Sequence, residues 1–237
     1  TQTLPDSVMN EIKRLGSKKV VVLGGSKAIS DNVISALRNE GVEVERIAGA
    51  NLFDTASLIA KKVAPDGSDK AFVVYGRNFP DAISVASHAA REGIPVLLTD
   101  THTLPDSTRR AIDELGVTES VIVGGTAVVS DAVMRELPGS LRVSGKDKYA
   151  TNIEVAKAFG VDNKHRYIAT GRSFADALTG AALASKNGSG ILLVDKEGIR
   201  NVTREYFMNS TISRLTIFGG ESAISNNVYE ELNSLLK

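Results

Sequence analysis

Two arginines stand where ligand chemistry could be done. Arg77 lies in Gly76-Arg77-Asn78-Phe79-Pro80-Asp81-Ala82, and Arg172 in Gly171-Arg172-Ser173-Phe174-Ala175-Asp176-Ala177, 95 residues further on. A guanidinium offers a planar fork of donors that matches phosphate or carboxylate oxygens two at a time. Both arginines directly follow apolar runs that read as strands, on the edge where open α/β sheets receive ligands. A salt bridge between modules, or a solvated loop charge, would explain the same positions. Asp81 and Asp176 fall just inside predicted helices, where a carboxylate complements the positive helix end. Catalysis would require a second acid or base at matching positions, and none recurs.

Three Gly-Gly pairs, Gly24-Gly25, Gly124-Gly125 and Gly219-Gly220, each follow a strand-like run and precede a serine, Ser30, Ser130 or Ser225. Backbone amides at such a junction could cradle an anion. Tight turning with the serines as helix N-caps is the competing structural reading. Neither a G-x-G-x-x-G nor a G-K-[ST] pattern is present. The chain has no cysteine, which removes disulfides, thiol catalysis and thiolate-held zinc. His88, His102 and His165 share no metal-ligand spacing and recur at no equivalent position, so they read as incidental surface or helix residues, and neither a metal nor a cofactor is expected.

The elements that must carry these residues come in repeats. Thr1-Gln2-Thr3-Leu4-Pro5-Asp6-Ser7 returns as Thr101-His102-Thr103-Leu104-Pro105-Asp106-Ser107, and Val96-Leu97-Leu98-Thr99-Asp100 returns as Leu192-Leu193-Val194-Asp195. A period of 95–100 residues is the size of a small domain and too long for a solenoid unit. The expected division is a partial repeat over 1–44, matching only the second half of a unit, then full repeats over 45–140 and 141–237. Runs without in-out alternation (Phe72–Tyr75, Pro95–Thr99, Ser120–Val123) predict buried parallel strands. Helical spacing predicts helices over Phe53–Val63, Asp81–Arg91, Pro105–Leu115 and Ser130–Leu137. The predicted fold class is α/β: tandem modules with mostly parallel sheets, packed in a pseudo-symmetric array through small-residue helices.

Composition narrows the function. Of 237 residues, 28 are basic and 28 acidic, so electrostatics alone would not hold nucleic acid. The balance is uneven: residues 1–140 carry 15 basic and 18 acidic groups, residues 141–237 carry 13 and 10. Hydrophobic residues make up 42%, enough for a full core, and runs such as Val20–Leu23 are too short to span a membrane. Trp is absent and aromatics are only 5%, which weakens a stacking platform for neutral sugars. Thr1 stands where an initiator Met would, and no signal-peptide pattern follows, so a processed chain or fragment of a larger protein is expected.

Together, G-x-x-x-[FY]-x-T, F-x-D-A, L-L-x-D and V-x-G-G-x-x-x-[IV]-S over about 95 residues resemble the cell wall binding repeat 2 family. The resemblance covers essentially the whole chain. It implies three tandem units around a pseudo-threefold axis, and noncovalent attachment of Gram-positive surface proteins to an anionic secondary wall polymer. The family's G-x-D-R-Y-x-T-A falls on Gly145-Lys146-Asp147-Lys148-Tyr149-Ala150-Thr151-Asn152 and on Gly49-Ala50-Asn51-Leu52-Phe53-Asp54-Thr55-Ala56. By that likeness Asp147, Lys148 and Tyr149 join Arg77 and Arg172 as expected polymer contacts. Leu52 and Phe53 lose the cation and the hydroxyl, so the preceding repeat should bind less well. The expected function is a noncatalytic anchor at the cell surface, with neighbouring repeats as partners and a homo-oligomer as a further expectation. The alternatives are a protein-binding adhesion module and an enzyme for a phosphorylated small molecule.

Overall fold

Short Val/Ile/Leu runs bounded by glycines give strands, and the stretches between them give helices that cover both sheet faces. A computed structural model describes residues 2–160 and 164–237. The first layer holds α1 (Asp6–Arg14), β1 (Lys19–Leu23), α2 (Asp31–Asn39) and β2 (Glu43–Ile47). Next come α3 (Leu52–Val63), β3 (Lys70–Tyr75), α4 (Pro80–Glu92), β4 (Val96–Thr99), α5 (Asp106–Leu115), β5 (Glu119–Val123), α6 (Asp131–Arg135) and β6 (Leu141–Val143). The last set is α7 (Lys148–Phe159), β7 (His165–Thr170), α8 (Ala175–Lys186), β8 (Ile191–Val194), α9 (Asn201–Met208), β9 (Arg214–Ile217) and α10 (Asn226–Ser234).

The strands form three parallel sheets, ordered β1-β2, β4-β3-β5-β6 and β8-β7-β9. This is the repeated α/β architecture expected. One predicted helix is shorter than its spacing suggested. α6 stops at Arg135 instead of reaching Leu137, because Pro138 disfavours helical backbone in the residue before it and Gly139 turns with φ +49°.

The middle and last sheets are joined by helices, with α4 packed against α7 and α8. Asn152 locks that junction. Its amide donates to Ser84 Oγ at 3.1 Å and to the Ile191 carbonyl at 2.9 Å, and its carbonyl accepts from the Leu193 amide at 2.8 Å. His88 also lies here, as one of the helix residues expected, and on the buried side of α4. It is buried against Phe159 and against Gly190, where a Cβ would come within 2.8 Å of its Nε2. Burial pushes its pKa down to about 4, aided by the Arg91 charge, so the ring is neutral at physiological pH. His102 is exposed and His165 half-buried.

Candidate functional site

At the carboxyl ends of the strands, two of the three Gly-Gly turns are covered by a carboxylate. Gly24, Gly124 and Gly219 take φ values of +105°, +117° and +101°, which only glycine adopts without strain. A Cβ on Gly124 would sit 2.7 Å from Asp81 Oδ2, and one on Gly219 2.8 Å from Asp176 Oδ2. A carboxylate therefore rests over each of these two turns, where it would repel a phosphate. Asp81 is short of water: burial pushes its pKa up to about 6. The turn carbonyls are held from the far side, Gly24 by Arg46 Nη1 at 2.7 Å and Gly124 by Arg142 Nη1 at 2.8 Å. The second glycines, Gly25, Gly125 and Gly220, have open space where a Cβ would go, so close packing explains only the first of each pair.

The three serines all stand at N-cap positions, but one alone caps with its side chain. Ser130 Oγ accepts from the Val133 amide at 3.4 Å. Ser30 Oγ instead donates to the Gln2 carbonyl at 2.9 Å, and the Ser225 hydroxyl is buried without a hydrogen bond. The capping expectation is corrected for those two: in Ser30 a competing carbonyl from the chain start takes the hydroxyl.

Arg77 and Arg172 are exposed to solvent, but each is paired within its own module and not across a boundary. Arg77 Nη2 donates to Asp100 at 2.7 Å, and Arg172 Nη2 to Asp195 at 2.7 Å. These are the aspartates that end the two L-L-x-D and L-V-D segments, so each arginine is paired across adjacent strands of its own sheet. The Arg77 hydrogen bonds and the Thr101 amide hold the Asp100 carboxyl below its ordinary range. For Asp195, burial opposes ionisation, but Arg172 and the Tyr149 hydroxyl outweigh it and the carboxyl is held low.

The G-x-D-K-Y-x-T segment turns out to build this corner from within. Gly145 donates its amide to Thr151 Oγ1 at 3.0 Å, and Asp147 caps α7 by accepting from the Ala150 amide at 2.8 Å. Lys148 Nζ donates to the Gly171 carbonyl at 2.5 Å, the carbonyl next to Arg172. Tyr149 is only 2% exposed and donates to Asp195 Oδ2 at 2.9 Å, so it braces that carboxylate from within. Burial and the Asp195 charge push its pKa up to about 12. Arg200 lies over the Tyr149 ring, 5.2 Å from its centroid, and within 4.0 Å of Asp195. Arg172 and Arg200 thus both reach Asp195, and Lys148 stands beside them over the Tyr149 ring, 5.2 Å from its centroid.

The middle repeat keeps the frame and loses the charge. Gly49 again donates to Thr55 Oγ1 at 3.0 Å, and Asn51 caps α3. Leu52 replaces the lysine, Phe53 the tyrosine, and Pro105 stands where Arg200 does. Arg77 lies 5.9 Å from the Phe53 ring centroid and pairs with Asp100, leaving one cation for one anion. Sequence reasoning missed Arg200 because it scanned for recurrence and this arginine does not recur. Among the described residues no group of three or more His, Cys, Asp or Glu could hold a metal ion, and no helix is long and apolar enough to cross a membrane.

Residues 46–134 and 142–229 match the family described as cell wall binding domain 2 (CWB2). The chain belongs to the CWB2 family. It is 30% identical over 223 residues to the N-acetylmuramoyl-L-alanine amidase LytC of Bacillus subtilis (strain 168), covering 94% of this chain and 45% of LytC. Among solved structures, Cwp8 from Clostridium difficile superposes with a TM-score of 0.86 at 28% identity, over 99% of this chain and 42% of Cwp8. Cwp6 from the same organism gives a TM-score of 0.92 at 24% identity, over all of this chain and 39% of Cwp6, and so supports the fold. The CWB2 chain therefore spans less than half the length of these relatives. It is a cell wall binding module, with its place at the cell surface or wall.

Proposed function

We propose that this module anchors noncovalently and without catalysis to an anionic secondary polymer of the wall, and that the last repeat makes the main contact. The observation that carries this reading is the corner of Lys148, Arg172 and Arg200 about Asp195, with Arg172 and Arg200 exposed at the strand ends. Asp195 and Glu197 stand against Lys148, Arg172 and Arg200, and the two arginines face outward. A repeating polyanion suits such a corner, because guanidinium groups engage phosphate or carboxylate and weak contacts along one polymer add through effective concentration. The Arg77–Asp100 pair of the middle repeat is locally neutral and serves as the weaker neighbour.

Co-sedimentation with purified wall sacculi, before and after chemical removal of the anionic polymer, tests this. Binding should fall on stripping and with rising salt. Arg200→Ala should weaken it by about tenfold, as expected for an exposed cation facing a polyanion, while Arg77→Ala changes little. Equal binding to stripped walls would sink the reading. Arg200 is the better probe than Arg172, since removing Arg172 also frees Asp195.

A further inference from the structure

The junction between the middle and last repeats encloses a titratable group that takes no part in the strand-end corners. His88 stands on α4 with Ser87 before it and Arg91 one turn on. Among the described residues, Ser87 Oγ, His88 Nδ1 and Arg91 Nη1 are buried atoms with no hydrogen-bond partner. His88 itself is 3% exposed and Ser87 0%. The fit does not recur. The counterpart of His88, 95 residues on, is the exposed Leu183, and Gly190, on which the ring rests, has Pro95 as its counterpart in the middle repeat. A Cβ at 190 would come within 2.8 Å of His88 Nε2 and 3.8 Å of Ser87 Oγ, so both side chains close on one glycine.

Elements from both repeats meet at the ring. From α4 come Arg91 and Glu92, paired with each other at 2.7 Å, and Arg91 also donates to the Phe159 carbonyl at 3.2 Å. α7 brings the Phe159 ring, its centroid 6.5 Å from that of the imidazole, and β7 brings the buried Arg166. The approach to β8 brings Gly190, while the buried residues of α8 are Ala177, Gly180, Ala181 and Ala184, none of them charged. Two guanidiniums and one carboxylate thus bear on the ring. Burial first, then the Arg91 and Arg166 charges, favours the neutral imidazole; the Phe159 carbonyl and Glu92 favour the proton and are outweighed.

We propose that His88 is an acid-sensitive latch between the two repeats: with the ring neutral, α4 stays closed on α7 and β8, and with the ring protonated the junction opens while each repeat keeps its own sheet. An imidazolium here is a third cation beside two guanidiniums and one carboxylate, with two N–H donors to satisfy in an interior where Nδ1 has no acceptor. Water satisfies them once α4 parts from Gly190. The sheets need not unfold for this, because β3 and β7 lie in separate sheets that share no strand. The direction with pH follows from a pKa of about 4 in the fold against an ordinary 6.5. The closed junction has its full support above 6.5 and loses it as pH falls from there through about 4. α7 begins at Lys148 and Asp195 follows β8, so opening also turns the last corner relative to the Arg77–Asp100 pair.

Two measurements on the whole chain test the latch. Followed by NMR, the His88 ring should take up its proton only below about pH 5, and titration at the ordinary 6.5 overturns the inference. Amide exchange is then compared, at one pH at a time, between the parent and His88→Gln, which has no proton to gain. From pH 7 to about pH 4.5 the ratio of parent to variant exchange at 84–91, 152–159 and 191–193 should rise by about tenfold or more, while 72–74 and 167–169 stay protected in both. His88→Leu, which places there the residue of the counterpart helix, should behave as His88→Gln does. A constant ratio overturns the latch. So does loss of 72–74 and 167–169 together with the junction, which would make the event global unfolding. Asp81, on the same helix, cannot supply the effect, because its raised pKa favours the fold as pH falls. Wall binding enters neither readout, so the proposed polymer contact stands or falls separately.

Discussion

At the scale of single residues, several conspicuous motif positions hold structure together. Asp147 caps, Tyr149 braces Asp195, and Asp81 lids a turn. Asp81 yields a pH prediction. Its folded pKa of about 6 lies above its ordinary value of 3.8, so its folded form prefers the proton. The stability this gives is fully present below the ordinary value and is lost as pH rises through about 6. Asp81→Asn should remove that dependence, and denaturant titrations from pH 4 to 7 should show the parent chain losing about 1–2 kcal/mol relative to the variant. A parallel pair of curves would show that Asp81 ionises freely. The sequence made Asp81 visible as a helix-start carboxylate, but its closeness to Gly124 depends on a contact across 43 residues that spacing does not encode.

Among elements, strands were readable because the buried parallel runs lack alternation, and β3, β4 and β5 fall within a residue or two of where those runs place them. Helix ends were harder where a proline intervened, as at α6. The junction of α4, α7 and β8 was not readable at all. Asn152 replaces the Ala56 of the preceding repeat, and a single buried amide in a helix gives no periodic signal. Its three hydrogen bonds hold three elements from two repeats, and removing the side chain takes a partner from the Ile191 carbonyl and the Leu193 amide in the interior, while Ser84 keeps its bond to the Pro80 carbonyl. Asn152→Ala should therefore cost about 2–4 kcal/mol, measurable by chemical denaturation. A loss near zero would mean that water replaces the amide.

Across the whole molecule, stability should be graded. The middle and last sheets sit in four buried clusters, two of which draw residues from both repeats, such as Ile83 with Ala181 and Val155 with Phe72. The β1-β2 layer rests on Val22, Val33, Ile34, Leu37 and Val42 in a cluster of its own. Amides of 19–47 should thus exchange before those of 70–75 and 165–170, and the reverse order would contradict this grading. The repeat period was plain in the sequence; the way units borrow from one another was not. β6 and its Arg142 belong by period to the last repeat, yet they complete the sheet of the middle one and grip its Gly124 turn. β2 and Arg46 do the same one unit earlier. The stretch copied by inheritance is accordingly out of phase with the stretch that folds. Gaining or losing one period at such a junction still delivers a closing strand and its arginine to the sheet before it. Arrays built this way can change length over generations without leaving a raw edge at the splice.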